Sequence, residues 1–88
     1  MHQRDGVLPD GTAVTAKGSG PPLVLLHGVG LRRAMWEPLV NVLAGRFTVV
    51  TYDLLGHGRS RPIDDAARLD DFVAQLGRVM DAFQMPKA

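Results

Sequence analysis

Two short stretches carry the residue types from which chemistry could be built. His27-Gly28-Val29-Gly30 follows the apolar run Leu23 to Leu26, and Asp53-Leu54-Leu55-Gly56-His57-Gly58-Arg59-Ser60 follows the run Phe47 to Tyr52. Both set ionisable or hydroxyl side chains among glycines, where a backbone can turn sharply and come close to a ligand. Three readings fit the first stretch. Its glycines make a tight turn of the kind any strand–helix junction needs. Gly28-Val29-Gly30 is also the first half of G-x-G-x-x-G, with Asp53 close to the ~20-residue spacing of a ribose-binding acid. The third glycine of that pattern is replaced by Arg33, whose bulk opposes close helix–strand packing. The third reading is an oxyanion hole. The main-chain N–H of Val29, kept clear of side chains by Gly28, would meet the charge that develops on a carbonyl oxygen during acyl transfer; one such donor is worth about 3 kcal/mol.

The elements that must position these stretches follow from pattern. Val7-Leu8 and Ala13 to Ala16 flank Pro9-Asp10-Gly11, which predicts a hairpin over 5–17. Lys17 to Pro22 is a loop by composition. Leu23 to Leu26 is continuously apolar, as in a strand covered on both faces of a parallel sheet. Trp36, Leu39, Val40 and Leu43 share one helical face, with Pro38 suited to the first turn and Gly45 to the stop. Phe47 to Tyr52, β-branched and aromatic, predicts a second strand. Residues 23–52 thus make one βαβ crossover. A helix over 66–85 is predicted next, with Asp64 or Asp65 as N-cap and Met85-Pro86 as its end. Its stripe of Leu69, Phe72, Val73, Leu76, Val79, Met80 and Phe83 should pack on a sheet face.

Composition excludes several classes of function. At 88 residues the chain is one small domain or part of a larger one. Hydrophobic residues make up 45% and the mean hydropathy is +0.02, which places it among globular rather than disordered chains. Ten basic residues against nine acidic give no electrostatic footprint for nucleic acid. With no cysteine, disulfides, thiolate metal sites and thiol catalysis are absent. No run is long enough to span a membrane and the first residues hold no apolar signal core, so a cytoplasmic protein is the expectation.

His27-Gly28-Val29-Gly30 with Met35-Trp36 close behind, then Tyr52-Asp53-Leu54-Leu55-Gly56-His57-Gly58-Arg59-Ser60 beyond the next strand, resembles the N-terminal part of the α/β-hydrolase fold. In flavour it is similar to 3-oxoadipate enol-lactonases and related small esterases and lactonases. The likeness runs from about Asp10 to the end, and the two motifs are specific together. It implies an α/β fold: the N-terminal half of a hydrolase sheet, with an antiparallel hairpin, a parallel strand–helix–strand and a further helix. It implies that Val29 donates one oxyanion-hole N–H, with Gly28 shaping the hole, and that His27, Gly30, Asp53, Gly56, His57, Gly58 and Ser60 shape loops at the active-site edge. His27 is then a turn histidine, His57 a brace between glycines and Asp53 a loop anchor, while Met35 and Trp36 either touch the pocket mouth or pack in the core. Substrates would be small esters, lactones or similar carbonyl compounds, turned over without metal or cofactor.

That chemistry needs a nucleophile on a G-x-S-x-G elbow, followed by an acid and a base. Neither Ser19 nor Ser60 sits in such an elbow, and no histidine follows His57. The expectation is therefore that residues 1–88 are an N-terminal fragment of a single α/β-hydrolase domain, incomplete and inactive without a C-terminal part. The strand at Leu23 to Leu26 would then be an open edge that associates with the absent part or with another copy. A nucleotide-binding half-domain and a non-catalytic interaction module are the alternative functions.

Overall fold

The computed structural model describes residues 3–27, 31–60, 62 and 69–85. The elements are β1 (Gln3–Val7), β2 (Ala13–Lys17), β3 (Pro22–Leu26), a 3-10 turn (Arg33–Trp36) running into α1 (Glu37–Leu43), β4 (Thr48–Tyr52) and α2 (Leu69–Ala82). They build one four-stranded sheet in the order β1-β2-β4-β3. β2 pairs antiparallel with both β1 and β4, whereas β3 and β4 run parallel, from Pro22 opposite Thr48 to Leu26 opposite Tyr52.

The hairpin closes as its turn residues dictate. Gly11 takes φ 88°, its N–H donates to Leu8 O at 2.8 Å, and the Asp10 carboxylate accepts Thr12 N–H at 3.0 Å. At the other end of β2, Gly18 has φ 93°, and a Cβ there would lie 2.3 Å from Ala44 O and 2.4 Å from Phe47 O. The loop before β3 thus passes directly under the turn between α1 and β4, which only a bare backbone allows.

β4 explains why the sheet needs both helices. Its alternate residues face opposite ways, and four of its five residues are buried. Val50 and Tyr52 join Val14, Ala16 and Val79 in the core under α2, with Leu8, Val24, Leu54, Leu76 and Phe83 against them. Val49 joins Val40 and Ala44 under α1, with Leu25, Trp36, Leu43 and Phe47.

The expected elements are present with several corrections. β3 was expected to be covered on both faces; instead Leu23, Val24 and Leu25 are half-buried and Leu26 is 45% exposed. Among the described residues only β4 pairs with it, which agrees with the open edge expected of this strand. Leu39 in α1 and Leu69 and Val73 in α2 are exposed, so the apolar faces predicted from spacing are only partly used. Gly45 follows the end of α1 without adopting a positive φ, so the stop is not a left-handed glycine cap. α2 ends before Met85-Pro86, through a left-handed Gln84 at φ 57°. Met85 N–H donates to Met80 O at 2.8 Å and Gln84 N–H to Asp81 O at 3.1 Å. That is a Schellman closure. Buried Met85 supplies the apolar residue that usually accompanies it. The candidate N-caps Asp64 and Asp65, residues 66–68 and Pro86 lie outside the described residues.

A paired glycine substitution separates conformational need from simple propensity. Gly18→Ala should lower the free energy of unfolding by at least ~2 kcal/mol, from left-handed strain and the clash with Ala44. Gly77→Ala, within α2 and with nothing inside 4 Å of the added methyl, should raise it by up to about 1 kcal/mol. Urea unfolding midpoints of the two variants check both signs.

Candidate functional site

The parallel register brings the two candidate stretches together. Leu26 lies opposite Tyr52, so the residues that follow, His27 and Asp53, leave the sheet side by side at the carboxyl ends of β3 and β4. Ligands of open α/β sheets bind outside such ends. His27 is 4% exposed, and its Nε2 accepts the Leu54 N–H at 2.9 Å. A nitrogen that accepts carries no proton, so the neutral ring holds its hydrogen on Nδ1. His57 Nδ1 lies 3.0 Å from Leu55 O, a carbonyl that can only accept, and so donates to it. The two rings sit 5.3 Å apart, tilted by 50°.

Asp53 is the centre of the arrangement. It is fully buried, and its Oδ1 accepts the Arg33 N–H at 2.6 Å. Its Oδ2 accepts the Arg59 N–H at 3.0 Å and also pairs with the Arg33 guanidinium. Burial by itself would push the carboxyl up, but these two main-chain donors and the Arg33 charge outweigh it and hold Asp53 below the usual carboxylate range. Gly58, at φ 51°, makes this possible, because a Cβ there would fall 2.4 Å from the carboxylate. Arg33 Nε goes on to donate to Thr15 Oγ1 at 3.0 Å, and Thr15 donates to Asp5 at 2.7 Å. The acid that a dinucleotide reading would hand to a ribose is therefore already filled by this chain's own donors.

The loop after Asp53 is also gripped from beneath. Ser60 Oγ accepts the Ala13 N–H at 2.9 Å and donates to Asp53 O. Gln75, fully buried in α2, donates to Asp53 O at 2.9 Å and to Thr12 Oγ1 at 3.1 Å, and accepts the Leu55 N–H at 3.0 Å. Gln75 escaped the sequence reading. Its signal was a single amide set three residues after Phe72 and four before Val79, on the stripe read as purely apolar.

Gly28, Val29 and Gly30, on which the oxyanion-hole expectation falls, lie outside the described residues. The two candidate pocket residues part company. Met35 is 45% exposed, while Trp36 is half-buried against the core of Val40, Ala44 and Val49. Met35 joins Leu31, Arg32, Gly56 and His57 in lining an open cleft of ≈ 800 Å³ beside the ends of β3 and β4. A polar groove of ≈ 580 Å³, lined by Asp5, Thr15, Lys17, Arg33 and Asn41 among others, is the sheet face that α1 leaves uncovered.

The arrangement can position a main chain; among the described residues it offers no free attacking hydroxyl. Ser60, 8% exposed, has its hydroxyl engaged on both sides, and Ser19 sits exposed in the loop before β3. Burial pushes the Tyr52 phenol up to about 12, which keeps it neutral in the working range. Among the described residues no cluster of three or more histidine, cysteine or acidic side chains could hold a metal ion. Among them, too, no helix is long and apolar enough to cross a membrane.

Removing the charge at the centre should be costly. Asp53→Asn leaves Arg33 without its counter-charge and should lower stability by about 2–3 kcal/mol at pH 7. Because the folded carboxyl titrates below its unfolded value of about 3.9, its contribution is complete above that value and is lost as pH falls through the lower folded one. The stability gap between wild type and Asp53→Asn should accordingly be constant from pH 7 to 5 and shrink below pH ~4, which denaturant unfolding at each pH measures. Gln75→Leu should cost about 1–3 kcal/mol, because the buried Leu55 N–H is left without its acceptor.

Comparison with known proteins agrees with this geometry. The family model described as the alpha/beta hydrolase family matches residues 23–85. An (E)-2-((N-methylformamido)methylene)succinate hydrolase of Acinetobacter baylyi is 40% identical over 57 residues, 65% of this chain and 22% of the relative. A pimeloyl-[acyl-carrier protein] methyl ester esterase of Aliivibrio salmonicida is 42% identical over 60 residues, 68% of this chain and 23% of the relative. The crystal structure of E-2-(acetamidomethylene)succinate hydrolase superposes with a TM-score of 0.85 at 28% identity, covering 94% of this chain and 32% of that one. The chain thus spans under a quarter of the length of these two curated relatives. With both motifs inside the matched residues, the chain belongs to the alpha/beta hydrolase family.

Proposed function

We propose that the chain forms the oxyanion side of a serine-type hydrolase acting on an ester, lactone or similar carbonyl substrate. In this reading Val29 contributes one main-chain N–H to the developing oxyanion, and Gly28 keeps the approach to it open. One observation carries the proposal. His27 and Asp53 leave two parallel strands side by side at their carboxyl ends, where Leu54 N–H donates to His27 and Arg33 N–H donates to Asp53. The carboxyl ends of parallel strands suit charge stabilisation, since donors that need no reorganisation stabilise a transition state best. Relatives named as a succinate hydrolase and a methyl ester esterase support the bond class.

The nucleophile, acid and base would come from sequence beyond these residues, as would the second oxyanion donor. The open edge of β3, with Leu26 exposed, is the place where that sequence would join the sheet, or where another copy would in its absence. Neither metal nor cofactor is needed for this chemistry.

Two measurements test the proposal. Supplied with the remainder of a hydrolase, the chain should support cleavage of a short p-nitrophenyl ester. Gly28→Val should then lower kcat by about 100-fold, and Val29→Ala should change it only a few-fold, because the acting group is the main chain. Unchanged turnover in Gly28→Val would refute the assignment. A fluorophosphonate probe should leave the 88 residues by themselves unlabelled, and stoichiometric labelling of Ser60 or Ser19 would place the nucleophile here after all.

A further inference from the structure

Arg32, Arg33 and Arg59 gather at the carboxyl ends of β3 and β4, and the fold engages the side chain of one of them. The Arg33 guanidinium pairs with Asp53, and its Nε donates to Thr15 Oγ1 at 3.0 Å. The main-chain N–H groups of Arg33 and Arg59 both donate to the Asp53 carboxylate. That convergence brings Arg32 and Arg59 to one place, and both line the groove of ≈ 580 Å³. Both are exposed, and neither guanidinium forms an ion pair or hydrogen bond with a described residue.

The acids nearby do not answer this charge. Asp53 is taken by Arg33, and Asp5 accepts the Thr15 hydroxyl at 2.7 Å. Glu37 lines the same groove as Arg32 and does not pair with it. Glu37 lies in the first turn of α1, where a carboxylate is stabilising for the helix itself. Arg32 also borders the adjoining cleft of ≈ 800 Å³, whose wall includes the exposed side chains of Leu31 and Met35. An apolar wall with a cation beside it suits a short carbon chain that ends in an acid. A guanidinium meets a planar carboxylate through two parallel N–H···O bonds, which a point charge cannot do.

We infer that this cleft binds a small molecule carrying a carboxylate, gripped by Arg32 and attracted also by Arg59. Resting on the hydrolase reading above, the site narrows the substrate to an ester or lactone whose acyl part ends in a free carboxylate. The carbon chain lies along Leu31 and Met35, and the charge selects acidic substrates over neutral ones of the same length.

Two arms test this, and one of them needs no catalysis. In the 88-residue chain at low ionic strength, glutarate should shift the Arg32 side-chain Nε–H signal and the Met35 methyl signal in a saturable NMR titration. Neutral glutaramide should shift neither. Arg32→Gln should weaken glutarate binding at least about fivefold, read at the Met35 methyl, and Arg59→Gln should weaken it less. Equal shifts from glutaramide, unchanged glutarate binding in Arg32→Gln, or inorganic phosphate binding as tightly as glutarate would overturn the inference. In the assembled hydrolase, the ratio of kcat/KM for mono-p-nitrophenyl glutarate to that for p-nitrophenyl butyrate should fall at least about tenfold in Arg32→Gln, through KM more than kcat. Arg32→Lys should restore part of the ratio, since it returns the charge without the fork. A ratio unchanged by Arg32→Gln would contradict the assignment. If the assembled wild type cleaves neither ester, the hydrolase reading fails, and the glutarate titration still decides whether the cleft takes a carboxylate.

Discussion

One ionised carboxylate, buried where water cannot reach it, sets the terms for the functional end of this fold. A buried charge is tolerated only when its neighbours replace what hydration supplied. Asp53 meets that condition with two main-chain N–H groups and a guanidinium. The donors come from two stretches of chain, at Arg33 and at Arg59, so satisfying the charge also joins those stretches. The carboxylate links the end of β4, the start of the 3-10 turn and the glycine-rich loop. Gly58 belongs to the same constraint, since any side chain there would occupy the carboxylate's place.

Around this centre the fold divides its labour between two faces. α2 covers the face of Val14, Ala16, Val50 and Tyr52, and sends Gln75 through that apolar layer to the loop. α1 covers Val49 and Leu25 and delivers Arg33 through the 3-10 turn ahead of it. The parallel pair β3–β4 then presents His27 and Asp53 at one edge. The hairpin contributes as well: Ala13 N–H and Thr12 Oγ1 reach Ser60 and Gln75. The site is thus a convergence of main-chain bonds more than a cluster of reactive side chains.

Much of this was legible from residue patterns, and the limits have physical causes. The crossover from β3 through α1 to β4 was readable because apolar runs, a first-turn proline and a β-branched strand all agreed. The hairpin was readable because Pro9-Asp10-Gly11 leaves few alternatives. Spacing could not tell which apolar positions would be used: Leu39, Leu69 and Val73 share a helical phase with buried neighbours, yet remain exposed on the described part of the fold. Nor could it anticipate Gln84 in a left-handed cap, where a glycine would be the usual signal. Asp53 was read as a loop anchor, but its partners were invisible, because Arg33 lies 20 residues away and had been weighed only as a missing glycine. Gln75 was hidden for the opposite reason: an amide within an apolar stripe looks like an interruption until its three bonds are seen.

The most direct test of the central claim is a carbon-13 NMR titration of the Asp53 side-chain carboxyl, with the Arg33 and Arg59 amide signals followed in the same samples. The account predicts a midpoint below the ordinary aspartate value of about 3.9, shared by both amides as their acceptor is protonated. A midpoint at or above that value, or amides that do not follow it, would contradict the claim that this carboxylate holds the site together.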